Sequence, residues 1–189
     1  MKRAVLLSLF VAVVVTAASP AKAQTTVLDQ VQAVVDTSVG GLAIGGTSDQ
    51  RLAQTVTVGI DGRLIGVMLP VGCDSGRLVV EIRDVVGGEP GPTVLARRQV
   101  RADRVADVGA AFQFIRVFSG GVTFSAGDQF AIVLDNPSGS CGIFRGPVGD
   151  SYPGGEGFFE ALPNPPGWVP FSDTETRLDL PFMTVVRTP

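Results

Sequence analysis

Short runs in which apolar and polar residues alternate, each ended by a Gly, Pro or Asp-Gly turn, constrain this chain more than any other feature. Leu52, Gln54, Val56 and Val58 alternate with Ala53, Thr55 and Thr57. Leu78, Val80 and Ile82 alternate with Val79, Glu81 and Arg83. A period of two puts successive side chains on opposite faces of an extended strand, whereas a helix needs a period near 3.6. Asp61-Gly62 is a tight hairpin signal, and Arg63 to Leu69 reads as the returning strand. Cys73 to Gly76 reads as a turn, and Arg77 to Val86 as a strand. Gly87 to Pro92 reads as a long turn that stops the ladder, because Pro lacks an amide donor.

Further strands are predicted at Thr93–Val100, Ala111–Phe118, Val122–Phe124, Gln129–Leu134, Cys141–Arg145, Gly157–Leu162 and Asp179–Arg187. In Ala111–Phe118, Phe112, Phe114 and Arg116 share one face, and Gln113, Ile115 and Val117 the other. Gln129–Leu134 is apolar on both faces and so reads as central. Arg101 to Gly109 is a polar connection with at most one helical turn. Near the N-terminus, Thr25 to Val35 fits a helical stripe or a strand, and its β-branched residues favour a strand. Gly40-Gly41 and Gly45-Gly46 mark Leu42-Ala43-Ile44 as loop. About ten short strands, with turns every eight to twelve residues or so, predict an all-β, antiparallel two-sheet sandwich of jelly-roll type.

Residues 1–23 read as a signal peptide. Lys2 and Arg3 precede an uncharged apolar run, Ala4 to Ala18, and Ala21-Lys22-Ala23 is a small-x-small cleavage site. Cleavage makes Gln24 the new N-terminus and leaves a single β-sandwich domain, 24–189. The run is shorter than the roughly 20 residues of a spanning helix. No second apolar segment follows, so the expectation is an exported protein, extracellular or periplasmic, without membrane insertion after cleavage. Loss of Lys2, Arg3 and Lys22 leaves twelve Arg against 18 acidic residues, a net charge of −6. Such a surface opposes nucleic acid, whose binding rests on phosphate neutralisation, and anionic membranes.

The two cysteines, Cys73 and Cys141, predict one disulfide in an oxidising compartment. The chain has no His. Ser-His-Asp and Cys-His machinery is thereby excluded, as are imidazole metal ligands. Two carboxylates alone suffice for glycoside hydrolysis, and Asp150, Glu156 and Glu160 are the cluster to test; solvated loop charges are the commoner duty of such residues. Asp128, Asp135 and Asn136, with Asp29 and Asp49, are oxygen ligands of the kind calcium prefers, though turn capping is their plainer role. No other cofactor is expected.

Cys141 to Pro170 holds the only Tyr, Tyr152, and the only Trp, Trp168, amid dense Gly and Pro. Sugar C–H faces pack on aromatic rings while polar neighbours take the hydroxyls. Trp168 and Tyr152 are therefore candidate stacking rings, with Asp150, Glu156 and Arg145 as hydrogen-bonding partners. The alternative is that both rings pin a long loop onto the sandwich. Arg97, Arg98, Arg101 and Arg104 form a local basic patch of a kind that can take an acidic polysaccharide, but Asp103 and Asp107 lie close to it, and a charged edge strand that deters aggregation is its plainer role.

The ordered set Leu52–Val58, Gly62-Arg63-Leu64, Val80–Arg83, Gly87–Ala96, Phe124–Leu134, Asp150–Gly155, Trp168 and Asp179–Phe182 resembles the bacterial choice-of-anchor R type of secreted β-sandwich domain. The similarity spans roughly residues 28–186. It implies an extracellular, non-catalytic jelly roll akin to carbohydrate-binding modules, often joined to an anchoring segment or an enzyme, neither of which this sequence displays. No catalytic residue is carried over. The function expected is a secreted, non-catalytic module for extracellular glycan. A structural or adhesive envelope protein without a small ligand is the alternative, and a glycosidase the third reading.

Overall fold

A computed structural model describes residues 24–106, 111–117, 120–164, 166–174 and 178–189. The leader read at residues 1–23 lies outside the described residues. Two antiparallel sheets face each other, and a small third sheet closes one end. The six-stranded sheet runs in the order β13 (Val169–Pro170), β12 (Gly157–Glu160), β3 (Arg51–Thr57), β10 (Gln129–Asp135), β6 (Arg77–Val86), β7 (Glu89–Arg101). Opposite it run β1 (Thr26–Gln32), β14 (Phe182–Arg187), β4 (Gly62–Leu69) and β8 (Gln113–Arg116), with β9 (Val122–Phe124) also on β4. The third sheet orders β2 (Leu42–Gly45), β11 (Ser140–Ile143) and β5 (Val71–Cys73). The all-β sandwich expected from the alternation is the fold observed.

The alternation fixes the layers. Leu52 pairs with Leu134, which pairs with Val80, and all three are buried in the main core. One row along, Gln54, Ile132 and Ile82 stand side by side on that same inward face. Leu64, Phe182 and Val186 belong to the same core from the other sheet. At about 25 cal/mol per Å2 of apolar surface, this continuous cluster is the main source of stability. The outward residues of the six-stranded sheet form a second row: Phe158, Ala53, Val133, Glu81 and Arg97. Of these, Phe158, Ala53 and Val133 make a small outer cluster with Ala131, against which Trp168 and Val85 pack.

Two local expectations are corrected. Leu42-Ala43-Ile44 is not loop but strand β2, held by β11 through Cys141 opposite Ile44 and Ile143 opposite Leu42. Its partner lies about a hundred residues away in sequence, so only a long-range ladder reveals it. Gly87 to Pro92 is not a long turn either. The chain reverses at Gly87 and Gly88, both at positive φ, and β7 begins at Glu89. Pro90 sits opposite Val85 within the ladder. This is tolerated because β7 is an edge strand, where an amide facing solvent is dispensable.

Cys73 and Cys141 stand directly opposite each other on β5 and β11 and are joined by the disulfide. The buried Asn136 side chain packs beside it: Nδ2 donates to the Ser75 carbonyl at 2.8 Å, and Oδ1 accepts from the Arg77 amide at 3.1 Å. The bond closes a separation of 68 residues, for which the chain-entropy relation gives about 4 kcal/mol. Replacing both cysteines with Ala is expected to lower unfolding free energy by up to about 4 kcal/mol, read as a fall in urea midpoint with a steeper slope as the unfolded chain expands. A loss under about 1 kcal/mol would show that the ladder alone holds this end.

Candidate functional site

Four of the five predicted ligand residues lie on, or immediately before, the stretch that forms β12 and β13, but the structure separates them by role. Tyr152 is a core residue. Its ring meets Phe182 edge-on at 4.9 Å, and its hydroxyl donates toward Gln30 Oε1 at 3.0 Å with the Thr57 carbonyl at 3.3 Å. Burial pushes its phenol up to about 12. With 6% of its surface exposed, it presents no ring face to a ligand. Arg145 is half-buried and lines neither cleft of this edge; its carbonyl accepts from the Asp36 amide, and its Nε has no partner among the described residues.

Tyr152 is placed by a buried carboxylate that the sequence reading did not single out. Asp179 is 3% exposed. Its Oδ2 accepts from the amides of Ser151 and Tyr152, both at 2.9 Å, and its Oδ1 accepts from Gln54 Nε2 at 3.0 Å. Gln54 Oε1 in turn accepts from the Leu180 amide at 2.8 Å. Gln32 Nε2 donates to Ser151 Oγ at 2.9 Å. Desolvation pushes the Asp179 carboxyl above the usual range, and the donors from Gln54, Tyr152 and Ser151 pull the other way. Gln54 does carry a sequence signal, because it is polar at an inward position of an apolar run, whereas the alternation of Leu178, Leu180 and Phe182 assigns Asp179 to the opposite face.

Asp150 and Glu156 share a cleft of about 270 Å3, bounded also by Ser172 and by Asp179. Asp150 is exposed. Glu156 Oε1 accepts from the Ser172 amide at 3.2 Å. Burial raises the Glu156 carboxyl above its usual value of 4.5, and the charges of Asp179 and Asp150 add to that. Gly155, next to it, lies so close to the Thr55 carbonyl that a side chain there would collide with it.

Trp168 marks the other end of the same edge. Its half-buried ring packs on the outer cluster of Ala53, Val133 and Phe158. The Arg51 guanidinium sits 5.1 Å from the ring centroid, within cation–π range. Arg51 Nη1 pairs with Glu160 Oε2 at 3.1 Å, and Glu160 Oε1 accepts from the Gly167 amide at 2.9 Å. A cleft of about 170 Å3 opens beside them, lined by Asp49, Arg51, Glu160 and Leu162. Nearby, Asp135 Oδ1 and Arg51 Nε are buried without a hydrogen-bond partner among the described residues. Desolvation pushes the Asp135 carboxyl up, and Arg51 opposes that. Arg51, Glu160 and Asp135 thus complete this end. The sequence carries no local signal for Arg51, because its partners join it only through the β3–β12 pairing.

Three of the residues considered for calcium, Asp128, Asn136 and Asp29, have other partners. Asp128 Oδ2 accepts from the Ser125 amide at 2.7 Å, closing a turn. Asn136 is saturated beside the disulfide, and the Asp29 carboxylate accepts from the Gly59 amide at 3.1 Å. Among the described residues no group of three or more His, Cys, Asp or Glu side chains converges as metal ligands would. In the basic patch, Arg97 pairs with Glu81 at 3.4 Å and Arg101 with Asp103 at 2.9 Å.

No protein-family model matches the chain, and no curated protein matches it. Among solved structures, the fold is similar to a chain of Cwp84, a surface-layer-associated protein of Clostridium difficile, in a structure of its cysteine protease and lectin-like domains. The TM-score is 0.54 at 13% identity, over 91% of this chain. This chain spans 37% of the length of that one. The likeness concerns the fold.

Two measurements test the polar groups of this edge. Asp179→Ala leaves the amides of Ser151 and Tyr152 without an acceptor; at about 1–3 kcal/mol per buried unsatisfied group, the expected loss is about 3 kcal/mol by chemical denaturation. A loss below about 1 kcal/mol would mean that water replaces the carboxylate. For Glu156, the raised carboxyl means that the folded protein holds the proton more tightly than the unfolded chain. Its contribution to stability therefore falls as pH rises from 4.5 through the raised folded value. Glu156→Gln keeps the acceptor for Ser172 and removes the titration. The variant is expected to gain on the wild type between pH 4.5 and neutrality, and a constant difference across that range would refute the assignment.

Proposed function

We propose that this chain is an exported, non-catalytic β-sandwich module that binds extracellular carbohydrate along the β12–β13 edge of the six-stranded sheet. The observation that carries the reading is the Trp168 end of that edge. A half-buried indole, a guanidinium, a carboxylate and a small cleft meet there, beside a donor and an acceptor that have no partner among the described residues. Sugar recognition combines an aromatic surface with clustered charged hydrogen-bonding groups. From Glu156 to Glu160 the edge runs about 13 Å, at roughly 3.3 Å per residue, long enough for more than one sugar ring. The Asp150–Glu156 cleft supplies acceptors at its far end.

Three further points support the reading. The disulfide suits an oxidising compartment outside the cytosol. The all-β overlay on a structure that contains a lectin-like domain agrees with a binding module, as does the resemblance to choice-of-anchor R domains. A non-catalytic role fits Asp179, whose carboxylate is committed to backbone amides and Gln54 rather than turned to solvent. One observation favours the adhesive alternative: Leu28 and Val31 on edge strand β1, and Val34 just beyond it, are 50%, 48% and 60% exposed. An apolar edge of that kind suits a protein partner.

The test is a glycan-array screen of the protein from residue 24, with Trp168→Ala and Tyr152→Phe beside it. Binding at the β12–β13 edge predicts at least a tenfold loss with Trp168→Ala and little change with Tyr152→Phe, whose ring stays in the core. Absence of binding across the array, with self-association that rises with concentration, would replace this reading by the adhesive one. Hydrolysis of an array glycan would replace it by the glycosidase.

A further inference from the structure

At the opposite edge of the same sheet, the open side of the sandwich forms a third cleft. It lies where β7 of one sheet and β8 of the other come together, and its volume is about 500 Å3. Arg98 and Val100 come from β7, Arg104 and Val105 from the turn that follows, and Phe114 and Arg116 from β8. Ala96 and Ile115 plug the core next to it. All three arginines are exposed, and Phe114 is 47% exposed. The neighbouring arginines have partners: Arg97 is paired with Glu81, and Arg101 with Asp103. Arg98, Arg104 and Arg116 have no acidic partner among the described residues. Asp107, further along the connection, lies outside the described residues. The same chain has 18 acidic residues against 15 basic ones, so three unpaired guanidinium groups around one cleft are not a by-product of a basic composition.

We propose that this cleft is a binding site for an acidic polysaccharide, one that carries a carboxylate on its sugar rings. A guanidinium fork pairs bidentately with a carboxylate, and the exposed Phe114 ring offers an apolar face to the pyranose that bears it. The volume is within the range of ligand clefts, roughly 300–1,000 Å3. Two other polyanions fit less well. Recognition of anionic lipid surfaces uses clusters of about four to eight basic residues, and strong nucleic-acid binding about six to ten phosphate contacts. Three arginines beside an aromatic ring suit a short run of charged sugars. The site does not rest on the β12–β13 reading: β7 is four strand positions from β12, about 19 Å at the usual strand spacing.

The experiment is isothermal titration of the protein from residue 24 with polygalacturonate and with its fully methyl-esterified form, at 50 and 300 mM NaCl. Expected are binding of the acid form, at least tenfold weaker binding of the ester, and at least a tenfold loss in the Arg98→Ala/Arg104→Ala/Arg116→Ala triple variant. Arg116→Gln alone is expected to lose about threefold to fivefold, and serves if the triple variant does not fold. Phe114→Ala should also weaken binding, while the Arg63→Ala/Arg187→Ala pair, outside the cleft lining, leaves it unchanged. Unchanged binding in both the triple variant and Arg116→Gln would overturn the proposal, as would equal affinity for acid and ester, or no binding by the wild type at 50 mM salt. Phosphatidylglycerol vesicles and single-stranded DNA are titrated alongside. Arginine-dependent binding to either without binding to polygalacturonate overturns the carbohydrate assignment and leaves that at the β12–β13 edge standing.

Discussion

A single buried carboxylate ties together segments that the sheets alone would leave loose. Asp179 precedes β14 of one sheet, Gln54 lies in β3 of the other, and Ser151 and Tyr152 belong to the loop leading to β12. Burying a charge costs several kcal/mol unless donors compensate, and here two backbone amides and a side-chain amide offset part of that cost. Loss of that compensation would free Tyr152 from Phe182 and unsettle the approach to β12. The β12–β13 edge is therefore positioned from within the core, although its candidate binding groups face outward. Rigid support of this kind lets a Gly- and Pro-rich segment hold a ring and charged groups in a fixed arrangement.

The six-stranded sheet also explains why candidate sites occur at its two edges. Its centre, β3, β10 and β6, is covered on the inner face by the main core. On the outer face, small residues such as Ala53 and Ala131 lie beneath longer neighbours, and Arg83, Arg97 and Glu81 form an ion-paired cover. Edge strands have no such closure on one side. The Pro residues of β7 and the charges along it are features that discourage another chain from extending the ladder. The same charges, where they lack partners, become recognition groups.

Trp168 and Tyr152 show how far the sequence alone carries the site. Both are single aromatics in one Gly- and Pro-rich stretch, and nothing local distinguishes them. Tyr152 goes inward because Asp179 captures its amide and Gln30 its hydroxyl, from 27 and 122 residues away. Trp168 stays at the surface because β13, which it precedes, pairs with β12 and carries it over Ala53 and Arg51, residues more than a hundred positions earlier. What the sequence does encode locally, it encodes well: the inward rows of β3, β6 and β10, and the opposite faces of Ile115 and Phe114, follow from a period of two. What it hides is pairing at a distance, which is why β2 reads as punctuation between glycines and Arg51 reads as an ordinary strand end.

The charge distribution sets the physical character of the basic cleft. With a formal net charge of −3 over the whole sequence, the protein as a whole repels a polyanion. At physiological ionic strength that repulsion is screened beyond about 8 Å, so it acts weakly at a distance and does not prevent contact. The attraction of Arg98, Arg104 and Arg116 is screened over the same range. Association is then not steered from afar, as it is for proteins with a large field of one sign. Affinity must arise at contact, through guanidinium–carboxylate geometry and the Phe114 surface. A site built this way discriminates by the placement of charge on the ligand rather than by the amount of it, and that is the property that separates a sugar polymer reader from a general anion trap.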